Sequence, residues 1–125
     1  MPPKNSDPED LLPLTSAAFH VLMALADGEL HGYAIMQEIV EHTEGRVKMG
    51  PGTLYGTIKR LIEAQLIEES DERPDQHLDD ERRRYYRLSG FGQRVLKAEA
   101  QRYADMALVA RGKRIIGKLT SATQS

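Results

Sequence analysis

Apolar residues recur at intervals of three and four along much of the chain, which is the spacing of one face of an α-helix. Three such stretches lie in its first half, over roughly 16–27, 31–42 and 52–64. Thr15 is suited to cap the start of the first stretch, and Gly28 is suited to end it. A Gly-Pro-Gly sequence interrupts the chain just before the third. The pattern therefore predicts three short helices.

The spacing then changes to the alternation that is typical of strands, over 66–70 and 84–89. A charged stretch that contains Pro74 separates them and predicts a hairpin with a long tip. Helical spacing resumes near Ser89 and continues to about Arg111. The fold class is therefore mainly α with a small β-hairpin, and the order of elements indicates a winged helix-turn-helix. The apolar stripe on the helix that follows leads us to expect that this is a C-terminal dimerisation helix.

This order divides the chain into four parts. We expect a flexible N-terminal arm at 1–13, which is rich in proline, and a winged helix-turn-helix DNA-binding domain at 14–88. The C-terminal dimerisation helix then occupies 89–111. A basic and then Ser/Thr-rich tail, 112–125, is expected to be flexible.

The third predicted helix has an unusual polar side. Its apolar side consists of Leu54, Ile58, Leu61 and Ile62. The other side offers small hydroxyls, a glycine and adjacent cations, namely Thr53, Gly56, Thr57, Lys59 and Arg60. Hydroxyls and cations suit phosphates and base edges, and a glycine lets a helix approach DNA closely. Tyr55 flanks the apolar stripe and is expected to be part core and part DNA contact. The alternative interpretation is that this polar side is an ordinary helix face exposed to solvent.

The charges are unevenly distributed, although the net charge is only −2. Residues 71–81 hold six acids against one arginine, whereas residues 82–87 hold four arginines and no acid. Arg82, Arg83 and Arg84 are placed where a wing would reach DNA. The acidic run could instead pair with these arginines and leave the wing neutral.

The last predicted helix carries a stripe of apolar and small residues: Leu96, Ala100, Tyr103, Ala107 and Ala110. Alanines let a second helix approach closely, so we interpret the stripe as a dimer interface, with packing inside one chain as the alternative. Phe19, Met23, Tyr103 and Met106 are weaker candidates for a ligand pocket.

Several other classes of protein find no support in the sequence. The chain has no cysteine, so disulfides, thiolate metal sites and cysteine nucleophiles are excluded. Its four histidines lack metal-binding spacing, and its serines lack a visible base, so we expect no metal, cofactor or catalytic residue. No apolar run approaches the ~20 residues of a membrane span, and the N-terminus does not read as a secretory signal. These features fit a cytoplasmic protein.

Four motifs resemble the PadR-like transcriptional regulators, in particular the small subgroup with one C-terminal helix. They are LHGYAIMQEI, GPGTLYGTIKRL, QLIEES and DDERRRYYRLSGFG, and the similarity covers about residues 14–110. The resemblance implies a homodimeric repressor that binds double-stranded DNA at a pseudo-palindromic operator and responds to a small aromatic effector. It assigns recognition to Thr53, Tyr55, Thr57 and Lys59, and the wing to residues 82–84.

The chain also departs from the family pattern. Gly56 stands where many relatives have proline, Gln65 stands where glycine is common, and the last helix has no tryptophan for drug stacking. A winged-helix module that binds another protein, without DNA binding, is the alternative function.

Overall fold

The computed structural model describes residues 7–70 and 84–118. Within these residues lie the helices α1 (Ser16–Ala24), α2 (Gly32–His42), α3 (Pro51–Glu63) and α4 (Gly90–Gly112), and the strands β1 (Leu30–His31), β2 (Ile67–Ser70) and β3 (Tyr85–Leu88). The predicted helices and hairpin strands are confirmed, with boundaries that shift by one to three residues. The cap at Thr15 is also confirmed, because its hydroxyl accepts a hydrogen bond from the Ala18 N–H at 3.1 Å.

The strands form an antiparallel sheet in the order β1-β3-β2. Ile67 lies opposite Leu88 in the hairpin, and Leu30 lies opposite Tyr86 where β1 joins the other edge of β3. The sequence did not predict β1, since two residues are too few to show a period. Through β1, the hairpin is hydrogen-bonded to the start of α2.

The core forms where α1 packs against α2, α3 and α4. Most of its fully buried side chains are aliphatic and come from these helices and from the hairpin, among them Val21, Leu22, Leu25, Ile35, Ile39, Leu54, Ile67 and Val95. Burial of such side chains from every element makes the helices and the hairpin one packed unit.

The start of α4 is held closely against the end of α3. Ser89 caps α4, with its hydroxyl accepting from the Gly92 N–H at 2.9 Å and donating to the Gln65 carbonyl at 2.7 Å. A Cβ atom at Gly92 would lie 2.8 Å from the carbonyl carbon of Leu66, so only glycine permits this approach. Gln65 itself has φ 63°, a left-handed conformation that suits a helix end.

The predicted flexible arm is partly wrong. Pro8–Leu11 form a short 3-10 helix that packs against α4, and Leu12 and Leu14 contact the core. Residues 1–6 lie outside the described residues, as do 119–125 of the predicted tail.

A buried carboxylate, Glu99 of α4, holds this N-terminal segment in place. Its Oε2 accepts from the Leu14 N–H at 2.8 Å, and its Oε1 accepts from Nε of Arg102 at 2.6 Å. The hydrogen bond to Glu99 raises the pKa of Arg102 above its ordinary value. Helical spacing alone gave no sign of these contacts, since Leu14 is 85 residues away in sequence.

Among residues 7–70 and 84–118, no helix combines the length and the apolar character that crossing a membrane requires.

Candidate nucleic-acid interface

The turn that leads into α3 presents two cations. Thr43 anchors the turn, because its hydroxyl donates to the Ile39 carbonyl at 2.7 Å and accepts from the Val47 N–H at 3.1 Å. Val47 then packs against the core, whereas Arg46 and Lys48 on either side of it are exposed. These two cations lie outside the predicted helices, and their alternation with the apolar residues Val47 and Met49 was a usable signal in the sequence.

The first turn of α3 leaves backbone N–H groups exposed. Gly50 precedes the helix without a side-chain cap, and Pro51 occupies the first helical position. Gly52 and Thr53 are exposed, and the first N–H groups of a helix have no partner within it. A phosphate oxygen could therefore accept from this turn, at the positive end of the helix dipole.

The exposed face continues through Gly56, Lys59 and Arg60. Lys59 forms no ion pair with any residue in the described part of the chain. Arg60 lies back along the helix, where its Nη2 is 3.4 Å from the Thr57 hydroxyl oxygen. An added Cβ atom at Gly56 would meet only Nη1 of Arg60, at 3.8 Å, so the backbone is open to a ligand there.

Two positions of α3 lie on the opposite side from the one predicted. Thr57 is only 1% exposed and belongs to the core face, so its predicted direct contact with DNA is wrong. Ile62 is 37% exposed and lines an open groove of about 500 Å³ with Ile67 and Phe91. The core face of α3 is therefore centred on Leu54, Thr57, Ile58 and Leu61, rotated from the predicted stripe.

Tyr55 lies between the core and the surface, because it is half-buried and packs against the core residues. Its ring lies over Gly32 at the start of α2, where a Cβ atom would be 2.8 Å from Cζ of Tyr55. The part-core expectation is confirmed, and a DNA contact by this ring stays a prediction.

The described cations of the hairpin, Arg84 and Arg87, are paired with acids of β2. Arg84 Nε lies 3.6 Å from Oε1 of Glu69, and Arg87 Nε donates to Oε1 of Glu68 at 3.0 Å. All four side chains are about half exposed, so these pairs are weak and water can replace either partner. Arg82 and Arg83, the other predicted wing residues, lie outside the described residues.

An exposed aromatic side chain, Tyr33, lies between the helices and the hairpin. It is half exposed at the start of α2, with its ring 6.5 Å from that of His31. His31 caps α2 by accepting from the Ala34 N–H, and it meets Tyr85 of β3 edge-on. Tyr33 is 53% exposed, so its side chain lies at the surface and not in the core.

The predicted stripe on α4 divides into two parts. Leu96 is 7% exposed and packs in the core of its own chain, so its assignment to a dimer interface is wrong. Beyond Ala100, which is half-buried, the other described residues no longer bury the same side of the helix. Tyr103 is 51% and Met106 is 64% exposed, and the small residues Ala107 and Ala110, further along the helix, are half-buried.

The four residues of the predicted ligand pocket do not line a described cavity. The rings of Phe19 and Tyr103 stack on each other with centroids 4.8 Å apart, so they occupy the space between α1 and α4. Met23 packs against the core and Met106 faces solvent.

The sequence matches a family model described as the transcriptional regulator PadR-like family over residues 21–98. The chain is 34% identical over 88 residues to the transcriptional regulator Rv3488 of Mycobacterium tuberculosis, a match that covers 70% of this chain and 76% of that protein. It is 39% identical over 87 residues, 70% of its length, to an uncharacterized 37.1 kDa protein in transposon TN4556 of Streptomyces fradiae. This match spans only 23% of the Streptomyces protein.

The fold also resembles that of a solved PadR family transcription regulator from Clostridium difficile R20291. The TM-score is 0.58 at 22% sequence identity, and the match covers 78% of this chain and 97% of that one. At this identity the similarity concerns the fold alone.

Proposed function

This chain belongs to the PadR-like family of transcriptional regulators, and we propose that it represses transcription as a homodimer that binds a pseudo-palindromic operator in double-stranded DNA. The observation that carries the proposal is the exposed face of α3, in which Lys59 and Arg60 flank the bare backbone at Gly56. Such a regulator acts in the cytoplasm, where the DNA is.

Helix α3 is the reading helix in this proposal. Its uncapped first turn, at Gly52 and Thr53, holds a phosphate and sets the position of the helix on the duplex. Lys59 and Arg60 then contact phosphates or guanine edges, and Tyr55 contacts the backbone at the flank. Thr57 contributes indirectly, because its buried hydroxyl oxygen lies within hydrogen-bond distance of the Arg60 guanidinium.

Three further groups extend the contact with the sugar-phosphate backbone. Arg46 and Lys48 precede α3, and Tyr33 lies beside the hairpin. In the hairpin, Arg84 leaves its exposed ion pair with Glu69 and binds a phosphate instead. The free-energy cost of leaving Glu69 is small, because exposed ion pairs are weak. By the resemblance of the sequence to the PadR-like family, we expect Arg82 and Arg83 to contact the same DNA backbone as part of the wing.

The second half of α4 supplies the dimer interface. Tyr103, Met106, Ala107 and Ala110 follow one another on a single side of the helix, at intervals of three and four. Within residues 7–70 and 84–118, this side is covered only as far as Ala100 and the ring of Phe19. A second α4, related by a two-fold axis, would cover it and present two copies of α3 to the DNA.

A small aromatic effector remains a prediction that rests on this dimer. The stacked pair Phe19 and Tyr103 offers a flat apolar surface, and the partner's α4 would close a pocket over it. The effector would change DNA affinity only through a different affinity for the two dimer geometries.

Footprinting of the full-length protein on its own upstream DNA tests the proposal. We expect two protected half-sites of related, inverted sequence, with centres about 34–36 Å apart or a multiple of this distance. A single protected half-site would contradict the dimer, and the absence of salt-sensitive protection would favour a module that binds another protein.

A further inference from the structure

The fold brings together two histidines that the sequence keeps 22 residues apart. Nδ1 of His20, on α1, lies 3.4 Å from Nε2 of His42, on the last turn of α2. Their ring centroids are 5.6 Å apart and the ring planes differ by 23°. Neither residue takes part in the DNA or dimer surface described above. The pair therefore needs its own explanation.

The separation of the two nitrogen atoms fits a shared metal ion. Two Zn–N bonds of about 2.0–2.1 Å that meet at a tetrahedral angle place their nitrogen atoms about 3.3–3.4 Å apart. The observed 3.4 Å also allows a long N–H···N hydrogen bond between the neutral rings. The two possibilities differ in whether a proton or a metal ion lies between the nitrogens.

The surroundings of His20 favour its neutral imidazole, which is the form that binds metals. Burial lowers the pKa of His20, and the neighbouring His42 lowers it further. Both rings are nevertheless accessible to solvent, since His20 is half-buried and His42 is exposed.

From this geometry we propose that His20 and His42 form a two-histidine site for a borderline transition-metal ion, with Zn²⁺ as its simplest occupant. Imidazole nitrogen suits Zn²⁺, Ni²⁺ and Cu²⁺ and suits the hard ion Mg²⁺ poorly. Within residues 7–70 and 84–118 no group of three or more His, Asp or Glu side chains could hold a metal. Water therefore completes the coordination.

The site connects two helices of the DNA-binding domain. A bound ion would cross-link α1 to the end of α2, and the unfolded chain would not hold the two rings at this distance. Metal binding would therefore raise the thermal unfolding midpoint, by an amount that grows with the logarithm of the Zn²⁺ concentration relative to its dissociation constant.

The test is calorimetric titration of Zn²⁺ into the full-length protein after removal of metal with a chelator. We expect one Zn²⁺ per chain, a raised thermal midpoint and no binding of Mg²⁺ at the same concentration. His20→Gln and His42→Gln each remove one of the two proposed ligands. Each should weaken Zn²⁺ binding by on the order of 10–100-fold or more, since loss of an outer-shell partner alone has an effect of that size. The matched control is His31→Asn, which removes another histidine but leaves a good helix cap and should bind Zn²⁺ normally.

A second measurement does not depend on the variants folding. In NMR spectra of the unmodified protein, Zn²⁺ should shift the ring signals of His20 and His42 together and leave those of His31 unchanged. Zn²⁺ binding that survives both substitutions, shifts confined to other histidines, or no Zn²⁺ binding at all would overturn the proposal.

Discussion

The ring of Tyr55 lies directly against Gly32, so that α3 meets the start of α2 at a point where α2 has no side chain. A Cβ atom at Gly32 would approach the Cζ of Tyr55 to 2.8 Å, which is closer than folded proteins allow. This contact helps to set the rotation of α3 about its axis. It thereby directs the face that carries Lys59 and Arg60 away from the core.

The first prediction concerns this contact. Gly32→Ala should lower the free energy of unfolding by about 1–3 kcal/mol, the usual cost of overpacking, as measured by urea denaturation. Gly90→Ala is the matched control, because a Cβ atom at this first residue of α4 meets nothing within 4 Å, and it should not lower stability by more than about 0.5 kcal/mol. In a Tyr55→Leu background the cost of Gly32→Ala should shrink; an equal cost in both backgrounds would show that the ring is not responsible.

A second substitution should separate folding from DNA binding. Gly56→Ala meets only the end of the flexible Arg60 side chain and removes a glycine from a helix interior, so stability should stay the same or rise by about 0.5–1 kcal/mol. Its methyl group stands on the exposed face and should weaken operator binding. Gly90→Ala, on α4, has equally open surroundings and should leave DNA affinity unchanged. Unchanged operator affinity in Gly56→Ala would mean that the backbone of α3 does not approach DNA closely.

The buried carboxylate of Glu99 should be important for stability. Glu99→Ala removes the acceptor of the Leu14 N–H and should cost about 1–3 kcal/mol in urea denaturation, the usual cost of a buried polar group that loses its partner. Lys97→Ala, an exposed change two positions earlier on the same helix, should remain within about 0.5 kcal/mol of the unmodified protein. Similar losses in both variants would instead point to a general weakening of α4.

The dimer interface is tested by a charge on α4. Met106→Asp should place a carboxylate in the interface and reduce dimer affinity by on the order of 30-fold or more, the effect of losing a hot spot of about 2 kcal/mol. Sedimentation velocity over a concentration series measures the change. Leu108→Asp is the control, since Leu108 is 55% exposed but lies on another side of the helix. A dimer that survives Met106→Asp, or that both changes disrupt equally, would contradict the proposed interface.

The order of elements was predictable because each element carries its own period. Helical spacing identified α1 to α4, and alternation identified β2 and β3, although the two-residue β1 was too short to detect. The rotation of α3 was harder to predict. A small threonine such as Thr57 fits a core as easily as a surface, and Ile62 lies beyond the part of α3 that its neighbours cover.

The contacts that the sequence did not reveal are all made between distant segments. Glu99 reads as one more charge on an exposed helix, and only the fold brings Leu14 to it. His20 and His42 likewise lack metal-binding spacing, yet adjacent helices place their nitrogens 3.4 Å apart. Leu96 and Tyr103 belong to one stripe on α4, but Leu96 is buried in the core and Tyr103 is half exposed.

The most direct test of the central claim is the salt dependence of operator binding by the unmodified protein and by Lys59→Ala. If α3 faces the phosphates in both halves of a dimer, the logarithm of the binding constant should fall linearly with the logarithm of salt concentration. Lys59→Ala should reduce that slope by about 0.9 per chain, or about 1.8 per dimer, while Lys97→Ala leaves it unchanged. An unchanged slope and affinity in Lys59→Ala would contradict the assignment of α3 as the DNA-reading helix.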